Sequence, residues 1–276
     1  MKTAFNCVGM YCLYAFRSIK FWAACLIYLL LLIFGTADFY NESAGVYYLL
    51  HYALQNGTKE FGLVVCAIPA AGIFADEWCS GRFVYSYTRA KTLPYAVSVV
   101  LSAFLIAAAT YIAANAAYIL IFSITNPIVG VLDDTSFVQS MMSYANGGLM
   151  LKGNVGGYYI INALTGGCNV GIFSALAVLV SVIITNSYIA TVSPMILYIF
   201  ITNFMNFLNI PRIANPYYIF SGGHYVFSDL TPNSADNFSI ISMAYPFVYA
   251  LCVVAIIAMA ALFGINRKYE KNSDLR

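Results

Sequence analysis

Apolar residues in this chain gather into long runs separated by short polar stretches. The runs fall near residues 21–36, 61–75, 95–124, 158–185, 189–208 and 240–265. About 20 helical residues are needed to cross the roughly 30 Å of hydrocarbon in a bilayer. The pattern therefore predicts an all-α polytopic membrane protein with six transmembrane helices, built as one membrane domain over 1–276. The second run is short for a bilayer, and the third is long enough to require tilt. Ahead of the first run, Phe5, Val8, Cys12, Phe16 and Ile19 recur at helical spacing, with Asn6, Arg17 and Lys20 elsewhere on the wheel. This predicts an amphipathic helix over 1–20 lying in the membrane interface.

Charge fixes an orientation. With both termini in the cytosol, the inner segments hold Lys2, Arg17, Lys20, Arg82, Arg89, Lys91, Arg267, Lys268, Lys271 and Arg276, leaving Lys59, Lys152 and Arg212 outside. That is a strong positive-inside bias and calls for an even number of spans. Two outer segments stand out. Residues 126–157 carry Asn-Pro, Gly-Gly and Asp-Asp turn signals, with a short helix expected around 136–144. Residues 209–239 are broken by Pro and Gly yet rich in aromatics, which suits either a re-entrant hairpin shielded by protein or an aromatic surface loop.

Composition narrows the function. The chain is 62% hydrophobic and 9% charged, with a net charge of +2, which marks a membrane protein and gives no basic stripe for nucleic acid. The seven cysteines form no CxxC pair and read as small apolar fillers. His51 and His224 lie apart, so no metal site and no histidine-activated nucleophile is expected. No phosphate loop of the GxxxxGK[ST] kind is present, and the apolar runs hold no ionisable relay. The chain is therefore expected not to be an enzyme, to bind no cofactor, and to draw any energy from a partner.

Polar residues inside the runs are amides and hydroxyls: Asn115, Asn162, Asn169, Thr202, Asn203 and Asn206. They either line a path for an amphipathic solute or hydrogen-bond between helices. Gly167 and Gly171 form a GxxxG pattern that favours close helix packing. The densest charge is the stretch DEWCSGRFVYSYTRAKTLPY, 76–95, between the second and third runs. Its Gly81 breaks a helix, Phe83, Val84 and Tyr87 share a helical face, and Pro94 suits the first turn of the next span. An inner loop gathers bases in any membrane protein, but that does not account for Asp76-Glu77 or the aromatic face.

In this pattern, and above all in FADEWCSGRFVYSYTRAKTLPYAVS at 74–98, the chain resembles the permease subunits of ABC transporters, specifically the six-span type-two exporters. The resemblance implies that the loop at 76–93 is a coupling helix seated in a separate ATPase subunit that binds ATP and Mg. Its contacts would be Asp76, Glu77, Gly81, Arg82, Phe83, Tyr87, Arg89 and Lys91, with Asn186 in a lesser second contact. It further implies two permeases, identical or paralogous, over two ATPases in the plasma membrane. The exported substrate is expected to be amphipathic or hydrophobic, a peptide or lipid-like. Two other readings remain open: a membrane accessory protein that recruits a partner without transport, and an ion-coupled carrier using amide and carbonyl ligands.

Overall fold

A computed structural model describes residues 2–40, 44–54, 58–128, 149, 153–211, 213–220 and 240–273. The helix expected at 136–144, His224, and all of the 209–239 segment beyond Phe220 lie outside them. The described residues are helical, without a strand. The helices are α1 (Lys2–Arg17), α2 (Ile19–Thr36), α3 (Val46–Ala53), α4 (Lys59–Ala67), α5 (Ile73–Cys79), α6 (Arg82–Ala90), α7 (Thr92–Thr125), α8 (Val155–Ile183), α9 (Ser187–Phe207), α10 (Pro216–Phe220) and α11 (Ile240–Ser273).

Five of these, α2, α7, α8, α9 and α11, are long and apolar enough to cross a membrane. Their outward faces are greasy. Leu26, Leu30 and Phe34 on α2, Phe200, Phe204 and Phe207 on α9, and Leu251, Ile256 and Phe263 on α11 are all exposed. In water such faces would be an aggregation hazard; against lipid they are at no disadvantage.

Of the six expected spans, the second is not one long helix. Residues 61–75 are divided between α4 and α5 by turns at 68–72. Pro69 is the cause, since it has no N–H for the carbonyl four residues back. Val65 O is instead taken by Ile68 N at 3.2 Å, and Ala67 O by both Ala70 N and Ala71 N. Past the break, Gly72 approaches Ser187 so closely that a β-carbon would collide with its hydroxyl.

Even so, the chain travels the length of the bundle in this segment. Helices α2 and α7 run parallel: Cys25 Sγ lies 3.8 Å from Thr110 O, Tyr28 packs on Tyr111, and Tyr40 meets Phe122. Two parallel neighbours require a return between them. Gly35 abuts Thr58 and Gly62 abuts Tyr28, while Ala70 and Phe74 share a core with Phe21 and Tyr95. Residues 58–77 thus descend as α2 rises.

The seam between α7 and α8 is the most extensive among the described helices. It is antiparallel, with Gly167 against Ala108 and Ile112 and Gly171 against Phe104. A β-carbon at Gly171 would lie 2.9 Å from the Phe104 carbonyl oxygen, and that backbone cannot give way. The GxxxG pattern serves packing within one chain.

Three buried threonines are satisfied within their own helices, whereas the buried hydroxyls of Ser102 and Ser174 find no partner among the described residues. Thr110 donates to Ile106 O at 2.9 Å, Thr165 to Ile161 O at 2.9 Å and Thr202 to Tyr198 O at 2.8 Å. Such back-bonds keep polar groups paired without a partner helix. Ser193 donates to Ala190 O at 2.8 Å, the carbonyl that Pro194 leaves without its usual donor.

Helix α1 packs chiefly along α7. It buries Ala4, Val8 and Ala15 while Phe5, Met10, Leu13 and Tyr14 stay exposed. Apolar residues on both sides, with Arg17 beside the outer face, suit a helix lying between protein and lipid. Ser18 ends it, donating to Ala15 O at 2.7 Å and accepting from Phe21 N at 3.4 Å.

Candidate functional site

The charged stretch forms a helical hairpin, α5 and α6, at the bundle end that also holds the end of α8 and the start of α7. Gly81 makes the turn at φ 72°, a left-handed conformation that glycine adopts freely. Lys91 closes α6 with φ 66°, unusual for a side-chain residue, and its N–H donates to Tyr87 O at 3.0 Å.

The aromatic face of the hairpin is turned inward. Phe83 is 2% exposed and Tyr87 8%. Phe83 packs edge-on against Phe74 and Tyr95, and Tyr87 stacks on Tyr269 at 4.4 Å. The Tyr87 hydroxyl donates to Asn266 Oδ1 at 3.1 Å, reaching the far end of α11. Both residues were expected on a docking face; they are core residues of this chain, because α11 and α7 offer the aromatic surface that α6 needs to cover.

Glu77 is likewise engaged at home. One carboxylate oxygen accepts from the Tyr11 hydroxyl at 2.7 Å and the other from the Tyr95 hydroxyl at 2.7 Å. A single side chain therefore joins α1, α5 and α7. Burial, and after it the Glu77 charge, push the Tyr11 hydroxyl far above the ordinary tyrosine range, so it stays a donor.

Nearby, Lys268 Nζ donates to Val182 O at 2.6 Å, satisfying a carbonyl at the C-terminus of α8. The same ammonium sits 4.9 Å over the Trp78 ring. Sequence reasoning missed Tyr11, Tyr95, Asn266 and Lys268. Only Lys268 carried a signal, as a base close after an apolar helix.

What remains outward is a rim of Asp76, Ser80, Gly81, Arg82, Thr88 and Lys91, all exposed; Arg89 lies on the same short helix. The turn before α9 adjoins it, with Cys79 Sγ 3.6 Å from Thr185 O. Asn186 is exposed there, but its amide oxygen caps α9 through Tyr188 N at 2.9 Å and Ile189 N at 3.3 Å. The two expected contact segments thus form one continuous face.

The polar residues read as a path do not share one lining. Asn115 and Asn169 are buried, on α7 and α8. Asn115 donates to Tyr111 O at 2.9 Å, and Asn169 Oδ1 has no hydrogen-bond partner among the described residues. Asn162 is partly buried, Thr202 is buried, and Asn203 and Asn206 lie exposed on α9. Asn206 Oδ1 accepts from the buried Asn215 amide at 2.8 Å. No protein-family model, curated protein or solved structure matches this chain.

Proposed function

We propose that the chain is the membrane-spanning permease subunit of an ATP-driven ABC exporter. In this reading α4 and α5 together make a sixth, broken crossing, and both termini lie on the cytoplasmic side of the plasma membrane. A separate ATPase subunit, holding ATP and Mg, docks on the hairpin; the chain itself is not an enzyme. Two permeases, identical or paralogous, frame a route for an amphipathic or hydrophobic substrate, a peptide or lipid-like.

One observation carries the reading: the hairpin is tied rigidly inward and charged outward. Its inner face reaches α1 and α7 through Glu77 and α11 through Tyr87. Its outer rim offers Asp76, Arg82 and Lys91 to the aqueous phase. A push on that rim is passed to three helices at once, as a soluble motor would require. Asn186 extends the rim, whereas Phe83, Tyr87 and Glu77 transmit rather than dock.

The test is to purify the full chain from its native membrane with its bound subunits and measure Mg-dependent ATP hydrolysis in vesicles. The expected result is hydrolysis stimulated by the chain and lost in Asp76→Lys plus Arg82→Glu, with folding intact. Hydrolysis indifferent to that double change, or none with the unaltered chain, would sink the proposal. Transport driven by an ion gradient without ATP would favour a carrier instead.

A further inference from the structure

At the end of the bundle opposite the hairpin, Lys59 and Glu60 open α4, both partly buried. Neither makes a hydrogen bond or ion pair among the described residues. Successive helical residues point about 100° apart, so Glu60 acts on the Lys59 charge from beside it without the two closing an ion pair. Lys59 Nζ lies instead over two aromatic rings, 5.2 Å from the centre of Tyr217 and 5.9 Å from that of Tyr198. The hydroxyl of Tyr198, a residue 2% exposed, is buried without a hydrogen-bond partner among the described residues, close enough to Glu60 to feel its charge.

Half-buried charges and a buried hydroxyl left unpaired are costly. A cation and an anion set side by side on a helix, neither in an ion pair among the described residues, are complementary to a zwitterion. We propose that Lys59, Glu60 and Tyr198 seat the headgroup of a zwitterionic aminophospholipid. The phosphate meets Lys59 Nζ and the Tyr198 hydroxyl, and the ammonium meets Glu60. A lipid is favoured over a soluble zwitterion because the next residue, Phe61, is 55% exposed and gives an acyl chain an apolar surface. A purely anionic headgroup is disfavoured by Glu60. The inference needs only that this end of the bundle lie at a membrane surface, and it stands whether or not the chain serves an ATPase.

Native mass spectrometry of the detergent-purified full chain tests it. Dioleoylphosphatidylethanolamine is titrated against dioleoylphosphatidylglycerol, with glycerophosphoethanolamine as soluble competitor. Lys59→Gln and Glu60→Gln are each expected to weaken phosphatidylethanolamine binding about tenfold, while Lys59→Arg retains it. Glu60→Gln should leave phosphatidylglycerol binding unchanged or tighter. If a charge variant fails to fold, Tyr198→Phe removes only the hydroxyl and should weaken the same lipid. The proposal is overturned if phosphatidylethanolamine binds all variants as it binds the wild type, or if phosphatidylglycerol binds the wild type equally well. Competition by glycerophosphoethanolamine at the lipid's own concentration would overturn the assignment to a lipid.

Discussion

The two ends of this bundle use charge in opposite ways. At the hairpin end, Glu77 holds two tyrosine hydroxyls and Lys268 holds a helix carbonyl, so the partly buried charges are spoken for within the chain. At the other end, Lys59 lies over aromatic rings with Glu60 beside it, and neither makes a hydrogen bond or ion pair among the described residues. In the proposed reading, the fastened end transmits force and keeps only its outermost charges for a partner, and the open end keeps its partly buried charges for a lipid headgroup. Breaking a fastening should therefore cost stability, whereas changing an open charge should alter binding with little effect on the fold.

The largest effect is expected from Glu77→Ala. Hydrogen bonds to a charged group contribute about 1.5–3 kcal/mol each, and their loss leaves two hydroxyls without an acceptor. A destabilisation of about 2–4 kcal/mol should appear in thermal unfolding of the detergent-purified chain. Tyr11→Phe should lose roughly half of that. If Glu77→Ala unfolds like the wild type, the hairpin is not fastened through this carboxylate.

Next comes the seam that both ends share. Gly171→Val places a β-carbon against the Phe104 carbonyl oxygen, and overpacking of this kind costs about 1–3 kcal/mol. Gly81→Ala meets nothing within 4 Å but must hold φ 72°, which costs about 1 kcal/mol. A Gly81 variant less stable than Gly171→Val would mean that the hairpin turn, rather than the α7–α8 contact, limits the fold.

Much of this architecture was legible in the chain. The long apolar runs became α2, α7, α8, α9 and α11, because a membrane-length run leaves a helix no alternative way to pair its backbone. The second run was read as one short span, and the break at Pro69 and Gly72 inside it was not foreseen. A window of hydropathy registers the lipid solubility of a segment but not a missing N–H. In the charged stretch, charge alone singled out Asp76 and Arg82, which the fold leaves exposed. Charge could not reveal that Glu77, one residue on, faces inward; that depends on where α1 brings Tyr11, a partner 66 residues away. The aromatic stripe of α6 was likewise visible, but periodicity does not say whether a stripe meets lipid, a partner or the chain's own core.

Lys268→Met should have a smaller effect, near 1 kcal/mol. It forfeits a cation at a helix C-terminus and one over an indole, each worth about 0.5–1 kcal/mol at partly exposed sites. Because the fastening is local, hydrogen exchange should quicken in the last turn of α8 and leave α2 unchanged. Exchange that quickens uniformly would show that Lys268 supports the whole bundle.

The smallest and most discriminating effect belongs to the open end. Burial lowers the Lys59 ammonium to about 8, with Glu60 acting in the opposite sense. Below pH 8 the lysine is protonated whether the chain is folded or unfolded. Between about pH 8 and 10.5 the unfolded chain binds more protons than the folded one, so this residue makes stability rise with pH there. Water at the partly exposed site limits the gain to about 1 kcal/mol. The midpoint of wild type minus that of Lys59→Gln, measured at pH 7.5 and 9.5, should therefore shift in favour of the wild type at the higher pH. Saturating phosphatidylethanolamine supplies the missing anion, returns the lysine toward its ordinary range and should abolish the shift. A difference that persists unchanged in the lipid would mean that no headgroup reaches Lys59, and the contrast between a fastened and a ligand-accepting end would fail at that residue.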